Sequence, residues 1–212
     1  MILHKFPFRK FINKVKWPAQ IKWVRLTLTL LLFASFSARS DWILDETNSS
    51  IYFVSVKNNS IVERHGFGKI SGSITSAGVV AISIDLNSVD TKIPIRDERM
   101  RKLLFQTELF PTAEFSAQVS ESDLRADAKS VRYREVQGNL SLHGKQVKLK
   151  SELTILKGVD SIQVFTNYPI FLSLEAFDLS IGVSALRDIA GLDDISAAIP
   201  VVLNLRFQYV SS

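Results

Sequence analysis

Apolar and polar residues alternate with a period of two along most of this chain beyond about residue 42. That is the pattern of strands with one buried face and one wet face. Ile82, Ile84 and Leu86 alternate with Ala81, Ser83 and Asp85, and Ala113, Phe115, Ala117 and Val119 alternate with Glu114, Ser116 and Gln118. Val201, Leu203, Leu205, Phe207 and Tyr209 alternate with Val202, Asn204, Arg206 and Gln208 near the C-terminus. Ile51, Phe53 and Ser55 against Tyr52, Val54 and Val56 give a strand apolar on both faces. Such a strand needs cover on both sides, an interior on one and a helix on the other. The run HGFGKISGSI, residues 65–74, places Gly66, Gly68 and Gly72 within a strand-like segment. Its spacing is not that of a dinucleotide loop and no basic helix start follows, so a bend or bulge is the reading.

The sharpest local prediction is a hairpin. Residues 131–142 and 145–156 flank His143-Gly144, a two-residue turn. Pairing outward sets Leu142 against Lys145, Leu140 against Val147 and Gly138 against Leu149 on a mainly apolar face. The other face pairs Ser141 with Gln146, Asn139 with Lys148 and Gln137 with Lys150.

Helical spacing occurs twice. Residues 95–105 follow Pro94, with Met100, Leu103 and Leu104 on one side and Arg96, Arg99, Arg101 and Lys102 on the other. Residues 182–192 place Val183, Leu186, Ile189 and Ala190 together and close at Gly191, after an extended run expected from Phe171 to Ile181. About eight strands with turns at short intervals and one or two short helices predict an all-β antiparallel barrel or sandwich. No solenoid or propeller period is present.

Composition changes this picture in one respect. The chain of 212 residues carries a net charge of +5, yet residues 1–40 hold eight bases and no acid. The remaining 172 residues therefore carry −3 and have no overall positive field for a nucleic acid backbone. The basic segment continues into an apolar run from Leu26 to Phe36 and then small residues, the order of a signal peptide. Its thirteen residues from Leu26 to Ala38 fall short of a membrane span. Cleavage after Ser37 or after Ser40 suits a small-x-small rule; an uncleaved anchor is the alternative. Residues 41–212 form the single expected domain, and no cysteine is present for disulfides, lipidation or thiolate metal sites.

Candidate chemistry is sparse. His4, His65 and His143 are the only histidines; His65 is the one functional candidate, with a partly exposed structural histidine at a strand end as the plainer reading. No metal spacing occurs. Asp97 reads as a partner for an arginine in its own segment, and Asp193-Asp194 as loop acids. With 14 Phe against 4 Tyr and 3 Trp, the aromatics are suited to a dry interior.

One spaced set of residues carries a resemblance. Ser88, Asp90 and Thr91, the pair Arg96-Asp97 with Met100-Arg101, Phe105, and Phe110-Pro111 followed by Phe115 resemble the pattern of the YceI-like family. The likeness continues through GNLSLHG, residues 138–144, and covers about Trp42 to the C-terminus. Arg99 stands where that pattern often has His, and the usual Thr/Ser-x-Pro-Val step after the turn is replaced by Lys145-Gln146-Val147. The resemblance implies an elongated lipocalin-like antiparallel β-barrel, exported to the bacterial periplasm, enclosing a polyisoprenoid or other long-chain lipid.

Joined to the apolar faces above, this gives a non-enzymatic binding protein used for transport or storage, with no cofactor. Phe53, Phe67, Ile84, Leu86, Phe115, Leu140, Leu203 and Leu205 are the expected lining. Arg96 and Arg101 are candidates for a polar head group, against the plainer role of fixing the helix through local carboxylates and carbonyls. Membrane contact is expected only transiently or through an uncleaved leader, and a homodimer is compatible. The alternatives are an envelope interaction module with a filled barrel core and a hydrolase using Asp97 or His65.

Overall fold

The computed structural model describes residues 40–125 and 127–210, so the leader of residues 1–40 lies outside it except for Ser40. The strand segments are β1 Ser40–Leu44, β2 Ser50–Lys57, β3 Ile61–Phe67, β4 Ile70–Thr75, β5 Val79–Asp85 and β6 Val89–Asp90. They continue with β7 Thr112–Gln118, β8 Ser130–Leu142, β9 Lys145–Lys157, β10 Ser161–Thr166, β11 Ile170–Ser173 and β12 Ala198–Tyr209. Helices α1 Pro94–Arg99, α2 Glu121–Leu124 and α3 Ser180–Ala190 interrupt them.

Pairing reduces these segments to eight staves. β1 and β2 form one stave broken by a 3-10 turn at Glu46–Asn48, β3 and β4 one broken at Gly68-Lys69, β5 and β6 one broken at Leu86–Ser88, and β10 and β11 the fourth broken stave. Chain order is spatial order, every pair is antiparallel, and β12 closes onto β1 through Trp42↔Tyr209 and onto β2 through Phe53↔Val201. The expected all-β, lipocalin-like barrel of eight strands is the fold. Three of the breaks lie side by side, and other groups take over there from the ladder. Gly68 N donates to Ser88 O at 2.8 Å, Lys69 N to Ser88 Oγ at 2.9 Å, and Ile70 N to Glu46 Oε1 at 3.3 Å.

The hairpin forms in the expected register, Leu142↔Lys145 through Gly138↔Leu149 and onward to Ser130↔Lys157. Its turn residues His143 and Gly144 both have positive φ, 52° and 73°, as a tight turn of the I′ kind requires.

The first helix departs from expectation. Only Pro94–Arg99 is α-helical, and Met100–Phe105 widens into a π turn. The buried set is accordingly Met100, Leu104 and Phe105, while Leu103 is half-buried. A π turn adds about one residue per turn, which shifts the apolar face by one position. The extended run expected from Phe171 to Ile181 ends at Ser173, and the second helix starts at Ser180 rather than Gly182. Gly191 closes that helix in the left-handed region, φ 61°, as expected, but Ile189 is exposed. Gly182 is buried because a Cβ there would stand 2.5 Å from Leu103 O, so α3 crosses the π turn backbone to backbone.

By the up-and-down order, the two long connections that carry these helices leave β6 and β11 at the same end, here called the mouth. Two apolar clusters follow: a foot cluster with Trp42, Ile74, Ile162 and Phe207, and a mouth cluster with Leu86, Met100, Leu104, Phe105 and Phe177. Phe67, Ile84 and Phe115 pack against both.

Gly138 supplies a test of this packing. A Cβ there would lie 2.3 Å from Phe115 Cζ and 2.5 Å from Ser116 O, whereas at Gly68 the nearest atom is 3.6 Å away. Gly138→Ala should lower unfolding free energy by about 1–3 kcal/mol in urea titrations, and Gly68→Ala should stay within about 0.5 kcal/mol of the parent.

Candidate binding cavity

Alternation in a closed sheet sends every second side chain inward, and in this barrel those side chains do not fill the space. They enclose a cavity of about 480 Å³ with an almost wholly apolar wall, inside the range of roughly 300–1,000 Å³ typical of ligand sites. Each long stave contributes, for example Phe53, Phe67, Ile82, Phe115, Leu149, Val164 and Leu203. The filled-barrel alternative required a plugged interior, and this one is hollow.

All eight residues expected to form the lining border the cavity: Phe53, Phe67, Ile84, Leu86, Phe115, Leu140, Leu203 and Leu205. They differ in what they offer it. Leu86 and Leu205 are 1% and 2% exposed, so they act as packing behind the wall. Phe53, Phe67, Ile84, Phe115 and Leu203 keep free surface. Mouth-cluster residues from the helical connections, Met100, Leu104, Phe177 and Val183, join the wall although the strand pattern does not point to them.

The two ends are chemically different. The lining residues that are also well exposed, Ile93, Ile95, Arg99, Ser173 and Ala190, all belong to the mouth. The foot is shut by α2. Buried Asp123 accepts from Arg132 Nη1 at 3.0 Å and Arg134 Nη2 at 2.8 Å, while the adjacent Leu124 enters the foot cluster. Burial alone would raise the Asp123 pKa, but the two guanidinium groups outweigh it and hold the carboxyl below its ordinary value. Lys157 lies over the Trp42 ring at 4.5 Å and donates to Gly158 O, and burial lowers its pKa.

Near the mouth, a polar cluster interrupts the apolar wall. Glu63 Oε2 accepts from Lys57 Nζ and, at 2.6 Å, from Arg96 Nη1, while His65 Nε2 lies 3.9 Å from the same oxygen. Lys57 above all, then Arg96, keeps the Glu63 pKa below its usual value. Ser55 Oγ is 2.9 Å from His65 Nε2. Lys57, Ser55, His65 and Arg96 all border the cavity. His65 is only 4% exposed, where the sequence suggested a partly exposed strand-end residue. Two glycines beside it in sequence hid its burial: the side chain lies against the Phe53 ring, 5.2 Å between centroids, inside the wall.

The arginine expectations divide. Arg96 also donates from Nη2 to Thr91 O at 2.6 Å, which is the local fixing role. Arg101 does not border the cavity, whereas Arg99 does. Asp97 binds Thr91 instead of an arginine, accepting from its N at 2.8 Å and its Oγ1 at 2.5 Å. The rest of the family-like set is structural as well: Ser88 bridges the strand breaks, Leu86 N donates to Pro111 O at 2.9 Å, and Phe110 packs on His143 at 4.6 Å. Among the described residues, no three His or carboxylate side chains are grouped to hold a metal ion.

Burial first, and the Arg96 charge second, push the His65 pKa down from 6.5 to about 4. Between those values the unfolded chain takes up a proton at this ring and the folded barrel does not, so stability is full above pH 6.5 and falls as pH drops toward 4. Urea unfolding across that window should show a loss on the order of 3 kcal/mol, and His65→Phe should flatten it. Glu63 and Asp123 add their own losses only at lower pH, through the carboxylate range.

Residues 42–207 match the model of the YceI-like domain. Among solved structures, a polyisoprenoid binding domain from Saccharophagus degradans implicated in plant cell wall breakdown is 30% identical, with a TM-score of 0.79, covering 81% of this chain and 100% of that one. BcnA of Burkholderia cenocepacia shares the fold at 18% identity, with a TM-score of 0.62, covering 77% of this chain and 98% of that one. Comparison with curated proteins returned no match. With the family match running from β1 into the closing strand β12, the chain belongs to the YceI-like family.

Proposed function

We propose that this protein is a carrier of a polyisoprenoid or a similar long-chain amphiphile, exported to the periplasm by its basic and apolar leader and working by binding alone. The observation that carries the reading is the hollow itself: an enclosed apolar cavity of about 480 Å³ open at one end. Burial of each CH₂ is worth roughly 0.8 kcal/mol, so one five-carbon isoprene unit contributes about 4 kcal/mol before ordering costs. A tail of several units then needs no reactive group to hold it. The relative from Saccharophagus degradans supports the choice of polyisoprenoid, since it is a polyisoprenoid binding domain. Phe53, Phe67, Ile84, Phe115, Leu140 and Leu203 are the proposed tail contacts, with Leu86 and Leu205 supporting them from behind. The Ser55–His65 pair resembles a nucleophile and base. Its other ring nitrogen has no orienting carboxylate, which favours binding over hydrolysis.

Organic extraction of the protein purified from its native host, followed by mass spectrometry, should recover a prenyl-chain lipid at near-stoichiometric yield. Repeated recovery of none would count against the carrier. Leu203→Trp fills the cavity without touching the polar cluster. It should weaken binding of a C20 prenyl alcohol by about tenfold or more in calorimetric titration, roughly the loss of two CH₂ burials, while the far-UV circular dichroism stays that of the parent.

A further inference from the structure

The polar atoms left over on the cavity wall indicate what kind of head group the carrier takes. His65 Nδ1 and Arg96 Nε are buried with no hydrogen-bond partner, and both side chains border the cavity. His65 Nε2 and Arg96 Nη1 lie 3.9 Å and 2.6 Å from one oxygen, Glu63 Oε2, so the two side chains belong to one neighbourhood of the wall. The third unpartnered polar atom of the wall is the Ser151 hydroxyl, on β9. Leaving a buried N–H unpaired costs more than an average hydrogen bond returns, so such groups commonly mark a missing partner.

We propose that His65 Nδ1 and Arg96 Nε form the head-group site, and that it takes an uncharged oxygen acceptor, a carbonyl or hydroxyl, in preference to a phosphate. This rests on the carrier reading and names its specificity. In the proposed site the tautomer is the one in which the Ser55 hydroxyl donates to Nε2, which leaves the ring proton on Nδ1 as a donor. Arg96 Nε–H is a donor in any state. One imidazole N–H and one guanidinium N–H whose charge Glu63 already balances suit an uncharged oxygen acceptor.

A phosphate would instead need free cationic charge. The Arg96 fork is already spent, Nη1 on Glu63 and Nη2 on Thr91 O, and Lys57 is held by the same carboxylate. Asp97 lies beside Arg96 in α1, so the local charges Lys57, Arg96, Glu63 and Asp97 cancel. A doubly charged group brought in there would be desolvated without compensation. Among the described residues, Arg99, exposed on the rim, is the one further cation bordering the cavity, and a phosphate would have to stay out with it.

The test uses four probes with comparable tails: geranylgeranylacetone, geranylgeraniol, geranylgeranyl diphosphate and the hydrocarbon phytane, each titrated calorimetrically into the delipidated protein. The ketone and the alcohol should bind about three- to tenfold more tightly than phytane, the worth of one or two hydrogen bonds, and more tightly than the diphosphate. His65→Phe should remove that margin, read as the ratio of ketone to phytane affinity within the variant. Diphosphate binding at least as tight as the ketone, or a margin that survives His65→Phe, would overturn the site while leaving the carrier intact. No binding of any probe would overturn both. Should His65→Phe fail to fold, the ¹⁵N shift of His65 Nδ1 in the parent decides: it should move on adding the ketone and stay on adding phytane, and an unmoved signal rejects the site.

Discussion

Closure of the sheet between β12 and the β1–β2 stave is the constraint on which the molecule depends. Without it, β1, β2 and β12 would each present an unsatisfied row of backbone donors and acceptors, and the inward side chains would face water. With it, eight staves satisfy one another in a ring, and alternation alone partitions the chain into a greasy interior and a polar exterior. An eight-stave ring can be filled by its own side chains or hold one small ligand; here the inward side chains leave a space of about 480 Å³. Two clusters, one toward each end, bound that space, and Phe67, Ile84 and Phe115 bridge them.

Much of this was legible in the residues because period-two alternation is a direct record of which side chain points inward. Ile82, Phe115, Leu140 and Leu203 face the interior for that reason, and the His143-Gly144 turn fixed the register of thirteen pairs between β8 and β9. What the pattern did not carry was anything set by contacts between distant segments. The π turn at Met100–Phe105 lies where α3 crosses it at Gly182, and no local propensity announces it. Residues Phe171 to Ile181 look extended by composition, but the chain must turn at Glu175–Phe177 to bury Phe177 over the mouth. The short α2 and its Asp123 between Arg132 and Arg134 have no signature in a four-residue window.

The candidate site divided in the same way. Its apolar contacts follow from alternation, whereas the polar cluster is assembled from β2, β3 and α1, so Ser55, Lys57, Glu63, His65 and Arg96 carry no common motif. The motif that does stand out in sequence has a different task. Ser88, Thr91, Asp97, Arg96 and Pro111 tie the connection between β6 and β7 to the barrel. In this chain the family-like residues hold the scaffold, while the cavity wall is defined by little more than being apolar.

The seal at the foot has a kinetic corollary. A vessel shut by Asp123, Arg132, Arg134 and Leu124 at one end has a single doorway, so a flexible guest must thread in by its oily end and back out by the same route, last portion in being first portion out. For the proposed carrier, each added prenyl unit would lengthen the retreat past the same gate, so dwell time would climb with chain length.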